Sequence, residues 1–477
     1  MLFNTLDFAL FLPLVFILYW FITNNNLKLQ NILLLVASYY FYSCWDWRFL
    51  FLLIFSTLLD YFTGLKIDKS VSRNKKLFWL WLSIIINAGF LGFFKYYNFF
   101  VTEFTHLISV FGYQINSWSL KIILPVGISF YTFHGLSYVI DIYYGRIKAE
   151  KNFVDYSLFV SFFPLLVAGP IERATHLLPQ IKVSRKFNYH KSVDGLRQIL
   201  WGLFKKIVIA DQCAEMANII FGNYQEYSSI SLIGGAIFFT FQIYGDFSGY
   251  SDIALGTARL FGIELLRNFA FPYFSRDIAE FWRRWHISLS SWFKDYLYIP
   301  LGGSKGGTLM RVRNTFIIFI VSGFWHGANW TFIVWGLLNA LYIIPSIIFK
   351  TNRNYLEIVA KGKLLPSLKE SIQITSTFAL TIFAWIFFRS LDMNNALNFI
   401  IRLFSFTEGL HLNVREDLII PIIIFFLIEW IGRDQEYAIA NFGLKWASSL
   451  RYTFYIAIII CLFWFGGKEQ QFIYFDF

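Results

Sequence analysis

Long apolar runs separated by short polar connections recur along the whole chain, from LDFALFLPLVFILYWFI (Leu6–Ile22) to YTFYIAIIICLFWF (Tyr452–Phe465). A bilayer span needs about 20 predominantly apolar residues, and about eleven to thirteen candidate spans of that kind follow one another. Nothing alternates with the period of a barrel strand. Backbone amides in hydrocarbon need internal partners, so the pattern predicts an all-α integral membrane protein with interfacial and broken helices. The first run has no basic segment before it and no small-residue cleavage site after it, so it reads as a retained span. Hydrophobicity never falls away for longer than a loop, and no repeat stands out. The expectation is a single multi-pass domain over residues 1–477.

Two segments depart from the pattern. In AEFWRRWHISLSSWFKDYLYIP (Ala279–Pro300), Phe281, Trp282, Trp285, Leu289, Trp292, Phe293 and Tyr296 fall in one stripe roughly 120° wide at helical spacing. Arg283, Arg284, Ser290 and Lys294 face the other way. This predicts one amphipathic helix lying in the membrane interface and ended by Pro300. The second, NTFIIFIVSGFWHGANWTFIVWGLLNALYIIP (Asn314–Pro345), carries no charge beyond that of His326. It is too long for one span and too short for two with a surface loop. The small and turn-prone residues around His326 (Ser322, Gly323, Gly327, Ala328, Asn329) place a helix break there, and breaks at membrane depth occur where they line a cavity.

Composition agrees: 57% of the 477 residues are hydrophobic and only 15% charged, against about a quarter in soluble proteins. The net charge of +11 does not point to nucleic acid. The bases cluster in Lys66–Lys76, Arg185–Lys191, Ser304–Arg313 and Lys350–Lys363, which the positive-inside bias makes cytoplasmic. With three spans before Lys66, the N-terminus lies outside. Cys44, Cys213 and Cys461 are far apart and show no metal or redox spacing, so they read as buried packing residues.

Of the seven histidines, His326 stands out. An ionisable group inside a membrane is costly and tends to mark a pathway or chemistry; the alternative is a ring hydrogen-bonded to a neighbour. For His286 the two readings balance. His134 shares an apolar setting with Tyr131 and Tyr138. His176 and His190 belong to the polar stretch 171–198, and His106 and His411 carry no signal. Asp246 and Asp252 flank a Ser- and Gly-containing apolar segment and read first as helix caps or partners of an arginine. LGGSKGG (Leu301–Gly307) could cradle phosphate, but reads first as a basic turn. No G-x-S-x-G elbow, P-loop, H-E-x-x-H or C-x-x-C pair is present.

The block from Tyr244 to Trp335, with ILPVGISFYTFHGLSYVIDIYYG, SFFPLLVAGPIER and the terminal FIYFDF, closely resembles the membrane-bound O-acyltransferase superfamily, in particular its bacterial polysaccharide-modifying branch. The resemblance implies a motif-bearing core at about 120–345, helices around a tunnel or funnel, and catalytic His326 with a second histidine, His286, that orients the donor or stabilises the oxyanion. An imidazole kept neutral by apolar surroundings suits a general base that deprotonates a hydroxyl. The branch implies a cytoplasmic thioester donor such as acetyl-CoA, an extracytoplasmic polysaccharide acceptor such as alginate, an SGNH-hydrolase-like partner, and a place in the bacterial inner membrane. It implies no metal and no resident cofactor. Arg283, Arg284, Lys294 and Lys305 would attract the carrier's phosphates, while Trp282, Trp325, Asn329 and Trp330 would line the site. Peptidoglycan or teichoic acid stand as alternative acceptors. A transporter or flippase, or a non-catalytic assembly subunit, are the rivals from other classes.

Overall fold

The computed structural model describes the chain except for residues 24, 114–117, 168, 414, 468–469 and 476–477. Of the motifs quoted above, Ala168, Asp476 and Phe477 lie outside the described residues. Among the described residues every regular element is a helix. Six helices are long and apolar enough to cross a membrane: Arg48–Lys69, Arg73–Val110, Ser229–Leu260, Trp330–Ile348, Leu368–Arg389 and Ser448–Phe465. A shorter apolar helix covers Leu6–Ile22. The chain divides into two compact units, Met1–Val193 with Thr257–Leu266, and Asp194–Gly256 with Arg267–Phe477.

In the first unit Leu6–Ile22 and Leu27–Asp46 precede the basic stretch, and a third helix, Arg48–Lys69, ends inside it. A buried carboxylate ties the unit's helices together. Asp60 Oδ1 accepts from Ser83 Oγ (2.6 Å) and Asn87 Nδ2 (2.8 Å), and Asn87 Oδ1 accepts from Ser56 Oγ (2.7 Å). Polar side chains in an apolar interior are stable only as such closed networks.

The second unit contains both unusual segments. Gly307–His326 and Trp330–Ile348 form an antiparallel hairpin joined by Gly327–Asn329. The length of Asn314–Pro345 is resolved this way: the first helix starts well before Asn314, and only three residues make the turn. Asn329 caps the second helix, its Oδ1 accepting from Thr331 N (3.0 Å), and its Nδ2 donates to Leu391 O (2.7 Å). The two helices touch backbone to backbone. A Cβ on Gly323 would lie 2.2 Å from Phe332 O, and one on Gly336 would lie 2.2 Å from Phe319 O.

The expected interfacial helix over Ala279–Pro300 is corrected. The segment is broken into Ile278–Arg284, Ile287–Phe293 and a wider π-helical turn, Lys294–Tyr298. His286 sits in the break with left-handed backbone (φ 43°, ψ 55°). The break shifts the helical phase, so the aromatic stripe does not face lipid. Trp285 is 2% exposed and stacks on Phe281 at 5.5 Å.

Since the hairpin relies on that close approach, Gly323→Ala should lower stability by about 1–3 kcal/mol, as overpacking does. Thermal unfolding in detergent checks this. Gly89→Ala, where a Cβ meets nothing within 4 Å, should leave the midpoint in place or raise it.

Candidate active site

Both histidines stand at helix ends in the second unit. His326 is the last residue of its helix and is 4% exposed, and His286 is 1% exposed. Two rings are shared between them. Trp325 lies 4.9 Å from the His326 ring and 6.3 Å from that of His286. Tyr474 lies 5.8 Å from His326 and 6.4 Å from His286. Trp335 (5.1 Å) and Phe388 (5.3 Å) close the His326 side, and Phe247 (4.6 Å) closes the His286 side.

His286 lies between helices, outside the spanning segments. Burial pushes its pKa down to about 3, which keeps the ring neutral at physiological pH. Its left-handed backbone is sterically unfavourable for a residue with a Cβ, so neighbours must hold it. Ile287 N donates to Asn268 O and Ala270 N donates to Arg284 O, both at 2.9 Å. Asn268 Oδ1 accepts from Ser288 Oγ (2.7 Å) and Ser288 N (3.3 Å) and faces His286 Nδ1 at 3.2 Å.

Tyr474 reaches the site because ion pairs anchor the end of the chain. Lys206 Nζ pairs with Asp246 Oδ1 (2.7 Å) and Asp211 Oδ1 (2.8 Å) and donates to Gln470 O (3.2 Å). Asp246 Oδ2 accepts from Ile473 N (2.8 Å). Asp246 is thus an ion-pair residue, but its partner is a lysine and not the arginine expected. Asp252 likewise pairs with Lys205 Nζ, at 2.6 Å.

A cavity of about 860 Å³ opens beside the hairpin. Arg311, Thr315, Phe319 and Ser322 line it from one face of the helix Gly307–His326. Spacings of four, four and three residues keep them in register, and His326 follows one turn beyond Ser322. The path from Arg311 to His326 rises roughly 22 Å along the axis. Trp282, held by Nε1 donation to Asn339 Oδ1 (3.1 Å), lines the cavity and packs on Trp335 at 5.7 Å. Its inner walls are apolar, and Arg283, Arg311 and Arg353 are its cationic lining.

The other expected site residues divide clearly. Arg283 lines the cavity, but its guanidinium donates to Asn352 O (2.7 Å) and Tyr355 O (2.8 Å), fixing the segment that bears Arg353. Arg284 is not at the cavity; it pairs with buried Glu280 (2.8 Å). Lys294 and Lys305 are exposed and lie outside the lining. Trp330 is 49% exposed, so it forms outer surface and not site wall. His134 belongs to the first unit, where its Nε2 accepts from Glu172 N (3.1 Å). Tyr474, Trp335, Asn268, Arg311 and Arg353 were missed. Tyr474 lies in the terminal FIYFDF, Asn268, Arg311 and Trp335 lie in the block Tyr244–Trp335, and Arg353 lies in the basic cluster Lys350–Lys363, but nothing there singles them out. Among the described residues, no group of three or more His, Cys, Asp or Glu is placed to hold a metal ion.

Two buried imidazoles share an aromatic enclosure, and one of them ends the helix whose preceding turns line an apolar cavity with a cationic rim. The sequence profile of the MBOAT, membrane-bound O-acyltransferase family matches residues 146–369. The chain belongs to this family and is a multi-pass membrane O-acyltransferase. It is 39% identical over 398 residues to the probable alginate O-acetylase AlgI of Pseudomonas aeruginosa, covering 83% of this chain and 73% of that protein. It is 37% identical over 426 residues to the peptidoglycan O-acetyltransferase of Helicobacter pylori, covering 83% and 78%. Similarity to the teichoic acid D-alanyltransferase of Streptococcus thermophilus is 30% over 240 residues, covering 46% and 56%.

Two outcomes follow from this geometry. Asp246→Ala should free the end of the chain, so hydrogen exchange at residues 470–474 should rise while exchange in Gly307–His326 stays unchanged. In the polar stretch, Glu172 Oε2 bonds His176 Nδ1 at 2.8 Å and raises the His176 pKa. A pKa raised on folding stabilises fully below the unfolded value of about 6.5 and is lost as pH rises through the folded value. Melting curves should show this pH-dependent stabilisation in the wild type and its loss in His176→Leu.

Proposed function

We propose that the protein moves an acetyl group from a cytoplasmic thioester, acetyl-CoA, to a hydroxyl of an extracytoplasmic polysaccharide. The observation that carries this reading is the helix face Arg311–Thr315–Phe319–Ser322–His326. The cavity follows this face from its cationic rim to Ser322, and His326 lies one turn beyond it; the rim stands in a basic connection of the kind that positive-inside bias puts on the cytoplasmic side. Phosphates of the carrier meet Arg311 and Arg353 at the rim, and its uncharged arm runs inward past Trp282 and Phe319.

His326 takes the proton of the attacking hydroxyl as the new C–O bond forms. The C–S bond then breaks, and the imidazolium returns the proton to the leaving thiolate. Neutral aromatic walls exclude water, which would otherwise hydrolyse the thioester. The alginate-type relatives favour an alginate-like acceptor outside the bacterial inner membrane in which the protein sits, with an SGNH-hydrolase-like partner completing delivery. The peptidoglycan-acting relative, matched over the same share of the chain, supports a sugar hydroxyl of cell-wall type as the second reading.

Radiolabelled acetyl transfer in membranes tests the proposal. His326→Ala should lower the rate by about 10²–10⁴-fold, the usual contribution of a general base, at unchanged protein level. Arg311→Ala should raise KM for acetyl-CoA with little change in kcat, as loss of uniform donor binding does. Wild-type transfer by His326→Ala would contradict the mechanism and leave a transporter or assembly role standing.

A further inference from the structure

Asn268 makes contacts that no helix cap alone requires. It is 1% exposed. Its side-chain amide has a fixed orientation, because Ser288 N is an obligate donor and the atom 3.3 Å from it must be the oxygen. Ser288 Oγ reaches the same oxygen at 2.7 Å, while Nδ2 donates to Ser251 Oγ at 3.2 Å. That oxygen also faces His286 Nδ1 at 3.2 Å. An amide oxygen only accepts, so Nδ1 must carry the ring proton. The backbone carbonyl of Asn268 meanwhile accepts from Ile287 N, locking the left-handed turn that aims the ring. His286 Nε2 is buried and has no hydrogen-bond partner among the described residues.

We infer that Asn268 is a positioning residue that holds His286 as the Nδ1–H tautomer, so that Nε2 meets substrate as a hydrogen-bond acceptor. This rests on the acyltransfer reading above and changes the part His286 plays in it. A neutral ring with its one proton committed to Asn268 has no donor to offer an oxyanion. It accepts instead from a neighbouring hydroxyl of the sugar, which orients the acceptor while the attacking hydroxyl keeps its own proton for His326. The two histidines thus act from the hydroxyl side, and oxyanion stabilisation falls to other groups.

The test is nitrogen NMR on the full-length protein in nanodiscs with labelled histidine, the His286 signals being assigned by their loss in His286→Gln. Wild-type His286 should show a protonated Nδ1 and a pyridine-like Nε2. Asn268→Asp keeps an acceptor oxygen toward Nδ1 and should keep that pattern together with most of the activity. Asn268→Leu should mix the tautomers and lower kcat about 10-fold or more, the scale of one lost transition-state hydrogen bond, with KM for acetyl-CoA unchanged. An Nε2-protonated wild-type ring overturns the inference without touching His326. A shifted tautomer in Asn268→Leu with unaltered transfer supports the positioning but removes His286 from the chemistry.

Discussion

A helix that stops in apolar surroundings leaves its terminal amides and carbonyls without intrahelical partners, and that constraint shapes this protein. Two such helix ends in the second unit carry a histidine each. At Gly327–Asn329 the deficit is met by the Asn329 side chain, which caps the following helix and reaches Leu391 O. At Trp285–His286 it is met from outside the segment by Asn268 and its neighbours. The interruptions bring polar groups into an apolar interior, and the functional groups sit where the backbone is already being satisfied by specific partners.

The surrounding charges follow the same logic. Lys206, Asp211 and Asp246 are buried together, and removing one partner of such a set leaves an uncompensated charge. What the set secures is the end of the chain: Gln470 O and Ile473 N are both held by it, and Tyr474 is thereby set against both imidazoles. Glu280 plays a comparable part at its own helix, gathering Arg276 and Arg284. Most cations of the aromatic block are therefore committed to architecture, and Arg311 and Arg353 are the cationic lining that stands beside Arg283 at the cavity.

Chain-level features were legible wherever length and composition decide the outcome. The all-helical membrane character and the break beside His326 follow from span arithmetic, and the cost of burying charge put Asp246 and Asp252 in ion pairs, though with lysines where an arginine was expected. The stripe over Ala279–Pro300 misled because periodicity assumes one unbroken helix, and nothing local announces a left-handed His286. The brace that permits it comes from Asn268, eighteen residues earlier in sequence. Arg311 went unmarked because it looked like one more positive-inside charge; its value lies in sharing a helix face with His326. Trp330 and Trp325 are indistinguishable by type, yet one faces outward and the other lies between the histidines.

The central claim is that the face from Arg311 to Ser322 is the donor's way to His326. Ser322→Cys, made with Cys44→Ser to remove the exposed native thiol, can be labelled in oriented vesicles by a membrane-impermeant maleimide applied from either side. The account predicts labelling from the cytoplasmic side that acetyl-CoA suppresses. Labelling from the opposite side alone, or cytoplasmic labelling that acetyl-CoA leaves untouched, would contradict it.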